Sequence, residues 1–174
     1  MTEGTGLPRD AEQFFREPNG QSYLRLLQVA EVISERFLLV WRGEPPLYAD
    51  PESLLAERLR PYLIDETRAT SWPGTWIGAG ENDSEDELPR VRAYRVSPPS
   101  IAIIRPRSCE GGHGPEGLFG WRAPEFPEDL SFYLGSGECW LGTVAHEGEG
   151  WIWPRVAELN DDARALAGFL RSEG

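Results

Sequence analysis

Apolar residues recur along this chain with two different periods. From Gln21 to Phe37 they fall at Tyr23, Leu26, Leu27, Ala30, Ile33 and Phe37, a three-and-four spacing that predicts an amphipathic helix. The run Phe37–Arg42, FLLVWR, follows at once and predicts a buried strand, broken by Gly43-Glu44-Pro45-Pro46. Upstream, Asp10–Glu17 reads as a short helix ended by Pro18-Asn19-Gly20. Downstream, Asp50-Pro51-Glu52 has the chemistry of a helix start: an Asp cap, a proline in the first turn and an acid near the positive end of the dipole. Leu55, Leu59 and Leu63 then line one side, and Pro61 closes the helix near Arg60.

The second half changes period. Tyr62–Thr70 reads as a strand running into a corner, Trp72-Pro73-Gly74-Thr75-Trp76. Arg90–Val96 and Ser100–Arg105 read as two strands joined by Ser97-Pro98-Pro99. Residues 106–117, rich in glycine, read as a loop. A meander follows: strands at Leu130–Leu134, Cys139–His146 and Trp151–Trp153, with turns at Gly135-Ser136-Gly137 and Gly148-Glu149-Gly150. The middle strand is apolar on both faces, as a central strand is. Asn160 caps a last helix whose Ala163, Leu166, Ala167 and Leu170 form a docking stripe. The order predicts an α+β domain with a mainly antiparallel sheet, N-terminal helices and a C-terminal helix packed on it. The expected organisation is a flexible leader over 1–9 and a single domain over 10–174, with mobile loops at 80–88 and 106–117.

Composition sharpens this picture. A length of 174 residues with 40% hydrophobic positions and seven tryptophans supports one well-buried core. No apolar run reaches membrane-spanning length, the N-terminus lacks the order of a signal peptide, and two cysteines make no disulfide framework. A cytoplasmic protein is the expectation. Net charge is −12, and every basic residue is arginine, which suggests a bacterium with a GC-rich genome. The acidity gathers in ENDSEDE (81–87) and the C-terminal third, around an arginine-bearing band at 88–123. That balance argues against nucleic-acid binding, which draws on phosphate neutralisation, and suits a basic protein partner.

The segment Pro127-Glu128-Asp129-Leu130-Ser131-Phe132-Tyr133 with Trp140-Leu141-Gly142-Thr143-Val144-Ala145-His146-Glu147 resembles a hairpin of uncharacterised small bacterial proteins. The resemblance covers about thirty residues. It implies a bacterial source and carries over no activity and no catalytic residue.

Candidate chemistry is sparse. His146 beside Glu147 has the elements of a general base, although consecutive strand residues would point them to opposite faces. Cys109 and His113 have ligand spacing for a metal. Cys139 and His146, some seven residues apart on an expected strand, do not join them, so no metal and no cofactor are expected. Neither a nucleophile elbow, a phosphate loop nor a calcium loop is present. The remaining signal is surface: Trp151, Trp153 and Tyr133 ringed by Glu128, Asp129, Glu147 and Glu149, an aromatic centre with a charged rim. The balance favours a non-enzymatic, acidic protein-binding domain, with an inhibitor or immunity-type partner of a basic effector as its sharpest form. The alternative is a small-molecule-binding protein or hydrolase-like enzyme. Its pocket would lie near His146, between the Trp72–Trp76 corner and the 106–117 loop, and would hold Arg92 or Arg105.

Overall fold

The computed structural model describes residues 6–42, 50–77 and 84–172, of which 50–53 by backbone alone. The expected break at Gly43–Pro46, the first half of the acidic ENDSEDE loop and the start of the leader lie outside the described residues. In chain order the elements are β1 (Glu12–Phe14), α1 (Gly20–Ile33), β2 (Arg36–Trp41), α2 (Asp50–Leu59), β3 (Leu63–Arg68), β4 (Ser71–Trp72), β5 (Thr75–Trp76), β6 (Arg90–Arg95), α3 (Pro98–Ile104), β7 (Glu128–Tyr133), β8 (Cys139–Val144), β9 (Glu149–Ile152) and α4 (Asp161–Arg171). Seven strands form one sheet in the order β1-β9-β8-β7-β2-β6-β3. Every pairing within it is antiparallel, and β4 and β5 form a separate hairpin. The α+β architecture follows the two periods of the sequence.

One face of the sheet carries the main core. Tyr23, Leu26, Leu27 and Ala30 of α1, Leu55 and Leu59 of α2, Ile101 and Ile104 of α3, and Leu166, Ala167 and Leu170 of α4 meet Phe37, Leu39, Phe132, Leu141 and Ile152 from the strands. Phe37 stacks on Tyr94 at 5.2 Å and Phe132 on Trp140 at 5.9 Å, which adds directional packing to burial. The opposite face has a smaller core of Val40, Trp72 and Val91. There the β4–β5 hairpin lies across the sheet. Gly74, at φ +81°, is the point of closest approach, since a Cβ on it would fall 2.7 Å from the Trp151 ring.

Three expectations are corrected. Asp10–Glu17 is not helical. Glu12–Phe14 instead pairs with β9, and Phe14 sits over Gly150, where a Cβ would meet its ring at 2.5 Å. An eight-residue helix is marginal alone, whereas the sheet edge supplies partners. Ser100–Arg105 is not a strand: α3 is nucleated by Ser97, whose side chain accepts from Ser100 N, while Ser97 N donates to Ser100 Oγ at 2.9 Å, with Pro98 in the first turn. Its β-branched apolar run concealed a helix too short to show its period. Lastly, β8 stops at Val144, and Ala145–Glu147 is a single 3-10 turn closed by Gly148 at φ +69°.

The 106–117 loop is held by backbone bonds at both ends. Arg107 N donates to Gly114 O at 3.0 Å, Gly114 N to Arg105 O at 2.8 Å, and Gly20 N to Glu116 O at 3.2 Å. A Cβ on Gly112 would fall 2.1 Å from Pro106 O, so the fold admits only glycine there. Of the leader, Leu7 lies on the sheet against Gly142. The second half of the acidic loop, Glu85–Glu87, is an exposed 3-10 turn.

Candidate functional site

At the start of β7 the chain enters the sheet through Glu128 and Asp129. Here β7 shifts register against Leu38 and Val40 of β2, and Asp129 takes φ +57°, alone in this among the described non-glycine residues. Aspartate is among the few residues that tolerate the left-handed region. The turn brings its carboxylate to the hairpin side, where it is only 1% exposed. Oδ2 accepts from Trp72 Nε1 at 2.7 Å and Oδ1 from Ala145 N at 2.9 Å. One carboxylate thus ties together the β4–β5 hairpin, β7 and the 145–147 turn. Burial pushes its pKa up to about 6, against the pull of those two donors.

Glu128 is also buried, at 8%. Arg42 Nε donates to it at 2.5 Å, and the Arg42 guanidinium lies over the Trp72 ring at 5.3 Å. Beyond this pair, the 3-10 turn exposes His146 and Glu147, whose side chains approach to 3.7 Å. The parity expected of a strand does not separate them, because neither is in a strand. Glu149, first in β9, is bonded by Gln13 Nε2. Its pKa is raised, first by desolvation and then by the adjacent Glu147 carboxylate, with Gln13 and His146 acting the other way.

The residues expected to form an exposed aromatic patch are therefore divided. Tyr133, Glu128 and Asp129 are buried. Trp153 packs against the helix-side core, and its Nε1 donates to Asp10 at 3.0 Å. Trp151 lies on the other face against Gly74. Only His146, Glu147, Glu149 and the partly exposed Trp151 reach solvent together, along the turn and β9. A bulge explains part of this division. Phe132 opposes Leu141 and Tyr133 opposes Cys139, so Trp140 is an extra residue and joins Leu141 in the main core.

Metal and thiol chemistry find little support. Cys139 is 1% exposed, its thiol bonded to Leu141 O at 3.2 Å and its pKa pushed up to about 12 by burial, which makes it inert. Cys109 and His113 sit in the 106–117 loop. The His113 pKa is lowered by desolvation and by Arg58 and Arg107, whose charges also oppose a cation. Among the described residues, Glu128, Asp129 and His146 form a possible metal-ligand set, with ligand atoms within 4.8 Å of one another. Arg42 already supplies positive charge to Glu128, and each Asp129 oxygen already accepts an N–H.

Neither of two clefts among the described residues is lined by His146, Arg92 or Arg105. One, of about 790 Å³, runs between α1 and α4. The other, of about 430 Å³, lies beside Arg107, Arg122 and Phe126. Arg92 is committed elsewhere, donating to Glu66 at 2.5 Å and lying over the Trp41 ring at 4.9 Å. Arg105 approaches Glu31 at 4.0 Å. No helix among the described residues is long and apolar enough to cross a membrane. Compared with protein-family models, curated proteins and solved structures, the chain matches none.

The organising role of Asp129 was not visible in the sequence. Its partner Trp72 is 57 positions away, and no local pattern announces such a tie. The one available signal was an Asp at the entry to a strand, where this residue type is disfavoured.

Proposed function

We propose that this chain is a protein-binding domain that recognises a basic protein surface through the corner formed by His146, Glu147, Glu149 and Trp151. The observation that carries the reading is the Glu147–Glu149 pair. Glu147 lies on the exposed 145–147 turn, which Asp129 bonds from behind, and Glu149 at the start of β9, where desolvation and then Glu147 raise its pKa. Such an arrangement carries like-charge repulsion that an arriving cationic side chain relieves. Trp151, packed against Gly74 and partly exposed, supplies an aromatic anchor beside the charges. The overall charge of −12 would speed encounter with a basic partner. An inhibitor or immunity-type role toward a basic effector is the specific form of this proposal.

The test is an amide hydrogen-exchange footprint of the full chain with a basic partner recovered from its host. Slowed exchange across residues 145–151 is the expected result. A footprint confined to the α1–α4 cleft would overturn the assignment of this corner.

A further inference from the structure

The sheet has two outer strands, and they are treated differently. At one end β1 is three residues long and fastened from the side. Arg171 of α4 donates to Glu12 at 2.5 Å, Gln13 bonds Glu149, and Arg16 bonds Ser172. At the other end β3 is six residues long and pairs only with β6 among the described residues. Residues 63–67 are all exposed, with Leu63 at 41% and Ile64 at 48%. A row of backbone donors and acceptors with apolar side chains beside it is a template for another strand.

The charges around that edge select the strand. Asp65 and Glu66 lie on it, and Arg68 reaches back to the carbonyls of Asp86 and Leu88 at 2.7 Å each. This places the exposed turn of Glu85, Asp86 and Glu87 at the end of β3. Two of the nearby cations are spent, Arg68 on those carbonyls and Arg92 on Glu66. A second copy of this chain is a poor occupant, because antiparallel self-pairing centred on β3 sets Asp65 of each copy against Glu66 of the other. An extended basic segment meets no such penalty.

We propose that the outer edge of β3, unpaired among the described residues, is a docking edge for an extended, arginine- or lysine-bearing segment of another protein, added as an eighth strand. The backbone ladder provides the pairing, Leu63 and Ile64 accept its apolar side chains, and Asp65 with the 85–87 turn accepts its charges. This edge lies five strands along the sheet from β9, roughly 24 Å away at about 4.8 Å per strand. It is therefore a surface separate from the 145–151 corner.

The probe is a blocked ten-residue peptide alternating arginine with valine and threonine, titrated into the full chain at low salt with amide exchange as the readout. Saturable binding that slows exchange across residues 63–68 is expected. Asp65→Arg, which leaves the Arg92–Glu66 pair in place, should weaken binding by about tenfold or more. Two prolines in the peptide should abolish the protection by removing backbone donors. Equal binding of the proline peptide, equal binding to Asp65→Arg, or no protection at 63–68 would each overturn the proposal. Glu147→Lys/Glu149→Lys should leave the protection at 63–68 in place. Protection at 145–151 alone would sink the edge while leaving the corner reading intact.

Discussion

Asp129 combines three costs in one residue: a left-handed backbone, nearly complete burial and a neighbouring carboxylate in Glu128. Its return is the cross-link between Trp72 and Ala145. The pH dependence follows from burial. Folded Asp129 keeps its proton until about pH 6, whereas an unfolded aspartate releases it near about pH 3.9. Its contribution to stability is therefore full below about pH 4 and falls as pH rises through 6, by roughly 3 kcal/mol in all. The groups facing it are Glu128, with its partner Arg42, and His146. Asp129→Asn tolerates the same φ and does not ionise. Urea unfolding between pH 4 and pH 7 should show the wild-type chain losing stability across that window and the Asn variant remaining nearly flat. Parallel slopes would show that Asp129 does not bury its charge.

At the scale of elements, the β4–β5 hairpin is the test of whether the second face is built as described. Gly74→Ala combines a left-handed φ with a clash against Trp151, for which about 2–4 kcal/mol of destabilisation is expected. Gly137, at φ +98° with nothing within 4 Å, supplies the control: its Ala variant should lose only about 1–2 kcal/mol, the backbone share. Thermal melts with near-ultraviolet circular dichroism measure both. In α4, Asn160 Oδ1 accepts from Ala163 N at 2.8 Å, and Asn160→Ala should cost about 1 kcal/mol. Where capping and period agreed, as in α1 and α4, the sequence was readable. In α3 the cap is at Ser97, within a segment that reads as the connection between two strands, because Ile-Ala-Ile-Ile has the composition of a strand. In β1 three residues were too few to carry any period, and only the pairing with β9 defines them.

At the scale of the molecule, the antiparallel α+β sheet was legible because alternation and turns are local signals. The site was less so. Alternation from Cys139 to His146 predicted that His146 and Glu147 would diverge, and the 3-10 turn at Ala145–Glu147 put them 3.7 Å apart. The bulge at Trp140 and the turn at Asp129 similarly reassigned faces that a period of two had fixed. Long-range ties such as Trp72–Asp129 decide those irregularities, and no window of sequence contains them. What composition did carry is the charge, and the fold leaves Glu147 and Glu149 on a braced corner with that charge around them.

The rate of association with the basic partner tests the central claim most directly. Stopped-flow measurements across a salt series should show a wild-type rate that falls steeply as salt rises. Glu147→Lys/Glu149→Lys should start about tenfold lower or more at low salt, with a flatter salt dependence. A double variant that associates at the wild-type rate, with the same salt slope, would contradict the account.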